Sequence, residues 1–232
     1  PWDPQIHDKN AYNAILAKGR LGLGESYMYG FWSCDDLPEF IARALLANLD
    51  QYISIDIETL RLIVSAKILN RQSKTQTMKM GEFHYDIPQE VWEATLDSSL
   101  TGSCGYFVTG NESLDESQDL KKKISLDKLN ISPGQTLLDI GVGWASFSGY
   151  AHKHYRAKPI GVTVSRGQRD YIKKKYGDAI DVRVHDYRNL TLEEKVDRII
   201  SVEMFEHVGS NNYRAFFEIC RNNIKDDGLM LL

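Results

Sequence analysis

An apolar run that breaks into two closely spaced glycines, LLDIGVGW at 137–144, constrains the fold of this chain more than any other segment. The run predicts a buried strand, and the spacing Asp139-x-Gly141-x-Gly143 predicts a tight turn that leads into a helix. Glycine lets the backbone approach a bulky ligand, and the first turn of a helix offers N–H groups without helical acceptors. The segment therefore indicates a ligand site at the end of a strand, with glycines that serve packing alone as the alternative.

Four further apolar segments follow, separated mostly by helical patterns. They are PIGVTV at 159–164, DVRVHD at 181–186, DRIISV at 197–202 and GLMLL at 228–232. Such alternation predicts an α/β fold built on a parallel sheet with right-handed crossovers. The chain ends within GLMLL, so we expect the sheet to be incomplete at its C-terminal end, with an exposed edge strand.

The first part of the chain has a different pattern. Helical periodicity at 10–18, 37–49 and 58–69 predicts a small helical N-terminal domain over residues 1–69. The segment GLGESYM at 22–28 contains two glycines and is predicted to form a tight turn between helices.

A polar and basic stretch without a clear period occupies 70–82 and predicts a linker. Residues 83–232 are then expected to form the second domain. Its first helices are predicted at 89–96 and 114–129, the latter opened by the capping box Ser113-x-x-Glu116.

The overall composition limits the classes of function. With 232 residues, 42% of them apolar, and a net charge of −4, the chain is globular and is not a general nucleic-acid binder. The basic clusters at 121–123 and 173–175 are expected to be solvated helix faces. Cys34, Cys104 and Cys220 show no metal-ligand spacing, so no metal is expected, and their odd number suits a reducing cytoplasm.

Two kinds of cofactor bind at glycine turns of this type. A dinucleotide fold would place a third glycine near position 146 and a carboxylate about twenty residues further on, where it grips the ribose. Position 146 is Ser146, and the second strand ends in Thr163-Val164-Ser165 without a carboxylate. The pattern D-x-G-x-G is also the S-adenosylmethionine turn of class I methyltransferases, and the missing dinucleotide features favour that alternative.

Several segments in a common order together resemble the cyclopropane fatty-acid synthases and, more distantly, the mycolic-acid methyltransferases. They are LGLGESYM at 21–28, FHYD at 83–86, SCGYF at 103–107, LLDIGVGW at 137–144, GVTVS at 161–165, HDYRNL at 185–190 and MFEHVG at 204–209. The resemblance implies a Rossmann-like class I methyltransferase that transfers a methylene group from S-adenosylmethionine to the cis double bond of an unsaturated phospholipid acyl chain. It also implies a carbocation that loses a proton to a bound bicarbonate ion as the ring closes.

The resemblance assigns roles to particular residues. Glu206 and Cys104 match bicarbonate-site positions and are the expected catalytic residues, with a helix-start carboxylate and an inert buried thiol as the alternatives. Gln168 also forms a capping pattern with Ser165, which gives it an alternative structural role. The expected cofactor-binding residues are Ser103, Tyr106, Asp139, Gly141, Gly143, Thr163, Gln168, Asp186 and Tyr187.

The chain departs from the family pattern at several positions beside these residues. Ala145-Ser146 replaces a pair of glycines after Trp144, and Gly102 replaces an aromatic residue that would cover the cofactor. Glu203 replaces a small residue near the cofactor, where a carboxylate is expected to clash or repel. These changes are expected to alter substrate preference or weaken activity.

The implied substrate is a lipid, while no apolar run approaches the roughly 18 residues of a membrane helix. Contact with the inner face of the membrane is therefore expected to be peripheral. A homodimer is a further candidate assembly, and pairing through the exposed edge strand is the alternative in which an oligomer is an artefact of truncation. The candidate headgroup contacts are Lys67, Arg71, Lys74 and Lys79, and a solvated linker is the alternative.

The resemblance also bears on activity. The family continues beyond the fifth strand with further site residues, so residues 1–232 alone are expected to be inactive. A methyltransferase that acts without ring closure and a non-catalytic lipid-binding relative are the competing interpretations.

Overall fold

The computed structural model of the chain describes residues 2–47 and 89–232. The chain divides into two compact units, Pro1–Leu69 and Asn70–Leu232. The predicted helix at 58–69, the predicted linker at 70–82 and the FHYD segment lie outside the described residues.

The N-terminal unit consists of short helices and one pair of antiparallel two-residue strands. Its strands are β1 (Gln5–Ile6) and β2 (Trp32–Ser33), and its helices are α1 (Asn10–Lys18), α2 (Arg20–Met28) and α3 (Leu37–Leu46). The prediction for α1 is confirmed in full, and α3 starts where predicted but ends at Leu46 rather than at 49. The Asp36 side chain caps α3 by accepting a 3.1 Å hydrogen bond from the Glu39 N–H.

The prediction of a tight turn over GLGESYM is wrong, because these residues belong to α2. Gly19, whose φ is 57°, makes the turn between α1 and α2 instead. Gly22 is buried, and a Cβ atom placed on it would lie 1.9 Å from the carbonyl oxygen of Ala14 in α1. This glycine therefore allows two helices to approach closely, a role that the local sequence does not reveal.

The second unit begins with two helices in its described part. These are α4 (Gln89–Thr95) and α5 (Leu114–Lys128), close to their predicted bounds. The predicted capping box is confirmed, since the Ser113 N–H donates to Glu116 Oε2 at 2.8 Å and the Glu116 N–H donates to Ser113 Oγ at 3.3 Å.

All five predicted strands are confirmed and form one parallel sheet in the order β5-β4-β3-β6-β7. The last strand starts at Ile224, earlier than predicted. The strands are β3 (Thr136–Ile140), β4 (Lys158–Thr163), β5 (Asp181–Val184), β6 (Val196–Ile200) and β7 (Ile224–Leu231). The helices between them are α6 (Ser146–Tyr155), α7 (Arg166–Tyr176) and α8 (Tyr213–Asn223).

Helices cover both faces of this sheet. Leu138 of β3 packs with Phe216 of α8 on one face, whereas its neighbour Leu137 packs with Leu126 of α5 and Phe147 of α6 on the other. Successive side chains of a strand point to opposite faces, so a strand covered on both sides is apolar throughout. Because the strands are parallel, their carboxyl ends meet at one edge of the sheet, the carboxyl edge, and their starts meet at the opposite amino edge.

Candidate functional site

The glycine turn follows β3 at the carboxyl edge and has left-handed backbone at three positions. Gly141, Gly143 and Ala145 have φ values of 88°, 54° and 64°. The Gly141 N–H donates to the carbonyl oxygen of Val162 in β4 at 3.0 Å, which fixes the turn against the next strand. A Cβ atom on Gly141 would lie 2.7 Å from Cγ of Met204, so this position requires glycine.

Asp139 of β3 is buried and contacts the helix that follows the turn. Its Oδ2 accepts a 2.7 Å hydrogen bond from Ser148 Oγ in α6. Burial raises the pKa of the Asp139 carboxyl group from 3.8 to about 6, and hydrogen bonds from the Ser148 side chain and backbone only partly oppose this effect. Asp139 therefore links β3 to α6, and its burial disfavours ionisation of its carboxyl group.

Thr163 and Gln168, predicted to lie on the ribose side of the cofactor, contact each other after β4. Thr163 Oγ1 donates to Gln168 Oε1 at 2.6 Å, and it accepts from the Ser165 N–H at 3.1 Å. The Gln168 N–H donates to Ser165 Oγ at 3.2 Å, so half of the alternative capping pattern is present. The Gln168 side chain turns toward Thr163 and does not complete the capping box.

Asp186 and Tyr187, predicted at the adenine edge, lie just beyond the end of β5. Asp186 Oδ1 accepts from Arg188 Nε and from the Arg188 N–H, each at 2.9 Å. The Tyr187 ring packs edge-on against Phe216, with 5.5 Å between ring centroids. Arg188, which the sequence analysis did not single out, therefore orients the Asp186 carboxylate.

The loop that carries Ser103 and Cys104 is fixed to α5 by Lys121. Lys121 Nζ donates to Ser103 Oγ at 2.5 Å, to the Ser103 carbonyl oxygen at 3.2 Å and to the Cys104 carbonyl oxygen at 2.8 Å. Gln118 Nε2, one helical turn earlier, donates to the Ser103 carbonyl oxygen at 2.7 Å. Cys104 is exposed, which contradicts the alternative of a buried thiol, and the Tyr106 side chain is also exposed.

The prediction of a solvated helix face over 121–123 is wrong for its central lysine. Lys122 is only 1% exposed, and its Nζ donates to Ser99 Oγ at 2.7 Å. The same Nζ lies 2.8 Å from Asp119 Oδ1 and 3.9 Å from Asp97 Oδ2. Helical periodicity cannot show this burial, because two of the partners come from the segment before the loop. Lys122 thus anchors the chain just ahead of Ser103.

The segment after β6 carries Glu203 and Glu206. Glu203 has a φ of 55°, a left-handed conformation that costs a non-glycine residue about 1–2 kcal/mol. Its Oε2 lies 3.5 Å from the position that a Cβ atom would take on Gly102, so two departures from the family pattern adjoin in space. Glu206 lies on a short 3₁₀ helix of one turn, Phe205–His207, and is exposed.

Among the predicted site residues, Thr163 and Gln168 contact each other. Met204 covers the glycine turn and Glu203 reaches the loop, but Glu206 and Cys104 share no hydrogen bond or ion pair within the described residues. The described residues contain no group of three or more His, Cys, Asp and Glu side chains that could hold a metal ion. A cavity of about 600 Å³ opens at the amino edge, beside His152 and Arg156, and no predicted site residue lines it.

The chain matches a known protein family over most of its length. Residues 72–232 match the family model described as mycolic acid cyclopropane synthetase. The chain belongs to this family. Cyclopropane-fatty-acyl-phospholipid synthase of Escherichia coli strain K12 is 35% identical over the whole chain, which covers 60% of that protein. The resemblance found in the sequence motifs is therefore confirmed, over a chain shorter than this relative.

Solved structures agree with the fold. The crystal structure of the mycolic acid cyclopropane synthase CmaA1, complexed with SAH and CTAB, superposes with a TM-score of 0.62 at 32% identity, covering 66% of this chain and 55% of that one. Coclaurine N-methyltransferase, bound to N-methylheliamine and SAH, superposes with a TM-score of 0.66 at 28% identity, covering 84% and 58%. The predicted S-adenosylmethionine-dependent methyltransferase fold is confirmed.

Proposed function

We propose that this protein contributes to the transfer of a methylene group from S-adenosylmethionine to the cis double bond of an unsaturated phospholipid acyl chain, which yields a cyclopropane ring. The observation that carries the proposal is the left-handed glycine turn at the carboxyl edge, in a chain of the cyclopropane synthetase family. S-adenosylmethionine supplies an electrophilic methyl group on a positively charged sulfur.

The residues present fit this cofactor. The nearest atom to a Cβ position on Gly143 is the Gly141 carbonyl oxygen at 4.0 Å, so the turn leaves space over its backbone. The N–H groups in the first turn of α6, at Ser146 and Phe147, have no helical acceptor and face the same edge. They suit the carboxylate of the methionine part of the cofactor, and we assign its ribose to the Thr163 and Gln168 pair.

We assign proton removal to a bicarbonate ion held by Glu206 and Cys104. Glu206 is exposed and accepts no hydrogen bond from a described residue, so its carboxylate can accept the O–H of a small anion. The Cys104 carbonyl oxygen is already bound by Lys121. The groups of Cys104 that can face the anion are therefore its N–H and its thiol.

We also propose that the acyl chains are reached at the cytoplasmic face of a membrane. None of the helices in the described residues is both long and apolar enough to span a bilayer. The predicted headgroup contacts at Lys67, Arg71, Lys74 and Lys79 lie outside the described residues.

A matched pair of glycine substitutions tests the cofactor site. Gly141→Ala would bring a Cβ atom 2.7 Å from Met204, whereas Gly134, with a φ of 85° in the turn before β3, has open space around it. Both changes impose the same kind of backbone strain, so we expect only Gly141→Ala to abolish calorimetric binding of S-adenosylmethionine. Equal binding by the two variants would contradict the assignment of the turn.

The reaction is tested by incubating the full-length gene product with S-adenosylmethionine and vesicles of unsaturated phospholipid. Mass spectrometry is expected to show acyl chains that gain one CH₂ and lose their double bond. A methylated chain that keeps its double bond would instead support transfer without ring closure. Transfer to a small amine is the second candidate, favoured by the likeness to coclaurine N-methyltransferase over 84% of the chain.

A further inference from the structure

The backbone of Glu203, just after β6, holds an unfavourable conformation. Its φ of 55° is one that glycine adopts far more readily. Such strain persists where the surroundings enforce it, and it concentrates at functional sites. The Glu203 carboxylate is exposed and accepts no hydrogen bond from a described residue, so no local contact offsets the strain.

The position of Glu203 connects the two segments that would enclose a cofactor. Its Oε2 lies 3.5 Å from the Cβ position of Gly102, at the start of the loop that carries Ser103 and Cys104. The next residue, Met204, packs against Gly141 in the glycine turn. Gly102 has no side chain, and the Glu203 carboxylate lies close to the space that a side chain there would begin to fill.

Lys121 interacts electrostatically with this carboxylate but forms no ion pair with it. Lys121 is committed to three oxygens of Ser103 and Cys104. Burial lowers the pKa of Lys121, and the charge of Glu203 acts in the opposite direction, so Glu203 and Lys121 interact only through space. The carboxyl edge therefore presents a negative charge that is available to a cationic ligand.

We propose that Glu203 determines ligand specificity at the cofactor site, by favouring the positively charged sulfonium of S-adenosylmethionine over the neutral thioether of S-adenosylhomocysteine. The inference rests on the proposed function, because it takes S-adenosylmethionine as the ligand. The two ligands differ at sulfur by one methyl group and one unit of charge. A carboxylate within several ångströms of sulfur stabilises only the charged ligand, and a neutral product then leaves more readily.

The test compares the affinities of both ligands by calorimetry in matched variants. Glu203→Gln removes the charge and keeps the shape of the side chain. Glu193→Gln removes the same charge from an exposed residue before the start of β6, at the opposite end of the strand that Glu203 follows. We expect Glu203→Gln to weaken S-adenosylmethionine about tenfold, which is about 1.4 kcal/mol, and to change S-adenosylhomocysteine less than about twofold. We expect Glu193→Gln to change neither.

Each outcome is decisive. A ratio of the two affinities that is the same in Glu203→Gln and in the unaltered protein would overturn the inference while the proposed function stands. Failure of the unaltered protein to bind either ligand would contradict the proposed function, and the inference with it. An analogue with an ammonium in place of the sulfonium should follow S-adenosylmethionine in all variants, and its indifference to Glu203→Gln would also overturn the inference.

Discussion

The two edges of the sheet treat polar groups in opposite ways. At the amino edge, Asp197 accepts hydrogen bonds from the N–H and Oγ1 of Thr136, at 2.8 and 2.9 Å, and pairs with Lys225 Nζ at 2.7 Å. At the carboxyl edge, Asp139 is buried with a raised pKa, and Ala145 and Glu203 hold left-handed backbone. Left-handed backbone also occurs before the strands, at Asn130 and Arg156, so strain does not separate the edges. They differ in their carboxyl groups, because Asp197 pairs with a lysine whereas Asp139 forms no ion pair with a described residue.

This difference separates stability from binding within one sheet. Native proteins violate local rules mainly at functional sites, where strained or poorly satisfied groups are kept for the ligand. The amino edge, which carries no predicted site residue, is free to optimise hydrogen bonds. Substitutions at the two edges should therefore differ: at the amino edge they should lower the free energy of unfolding, and at the carboxyl edge they should raise it or change ligand affinity.

The largest effect is expected for Arg198→Met. Arg198 is 8% exposed and donates to the carbonyl oxygens of Leu129 at 2.5 Å, Asp197 at 2.8 Å and Asn130 at 3.1 Å. Its loss leaves these acceptors without a donor, so the free energy of unfolding in urea should fall by about 3 kcal/mol. Arg221→Met, on the exposed surface of α8, should change it by less than about 0.5 kcal/mol. Equal losses of unfolding free energy in the two variants would show that the hydrogen bonds of Arg198 at the amino edge do not contribute specially to stability.

Asp139→Asn should have the opposite sign. The native pKa of about 6 lies above the ordinary value of 3.8, so the native carboxyl group favours its protonated form. The stabilisation by that proton is complete below pH about 4 and is lost as the pH rises to about 6. Asparagine cannot ionise, so at pH 7.5 the free energy of unfolding of the variant should exceed that of the unaltered protein by about 2 kcal/mol. The difference between the two proteins should be smaller at pH about 4. A destabilised variant at pH 7.5 would show that the charge is needed for folding.

Lys121→Met tests the loop at the carboxyl edge. The variant loses all three hydrogen bonds to Ser103 and Cys104, so S-adenosylmethionine binding should weaken about tenfold as the loop loses its anchor. Lys123→Met is the matched control, because the Lys123 side chain is 58% exposed. Among the described acidic residues, its only ion-pair partner is Asp127 on the same helix. Binding that weakens equally in both variants would assign the effect to helix charge and not to the loop.

The smallest effect is expected for Asp197→Asn. Burial tends to raise the pKa of Asp197, but hydrogen bonds from Lys225 and Thr136 hold it at about 2. Ionised Asp197 therefore contributes stability above pH about 4, and this contribution is lost as the pH falls toward 2. The variant should be about 1 kcal/mol less stable at pH 7, after screening by water, and the difference should shrink at pH about 3. A difference that is constant with pH would show that the charge is irrelevant.

The sequence predicted the sheet because local signals agree with the global fold. Leu137 and Leu138 belong to an apolar run, and both are buried on opposite faces, as parallel strands require. The helix starts at Asp36 and Ser113 were readable because their caps use residues three positions away. The glycine turn was readable for the same reason.

The features that escaped prediction depend on contacts between distant segments. Gly22 looked like a turn residue because its partner Ala14 lies on another helix. Lys122 looked solvated because Ser99 approaches it only in the folded chain. Lys121 gave no signal of its role, since a lysine on a helix is normally a surface residue. The predicted roles of Glu206 and Cys104 in holding a bicarbonate ion stay predictions.

Trp144 gives the glycine turn an optical consequence. Its ring is 8% exposed and lies 6.3 Å from the Trp92 ring and 5.1 Å from the Tyr171 ring, measured between centroids. Excitation absorbed by that tyrosine passes readily to a tryptophan at such a distance, so emission from the second unit originates beside the turn. With Trp2 and Trp32 replaced by phenylalanine, the intrinsic fluorescence of the protein would report occupancy of the turn without any added label.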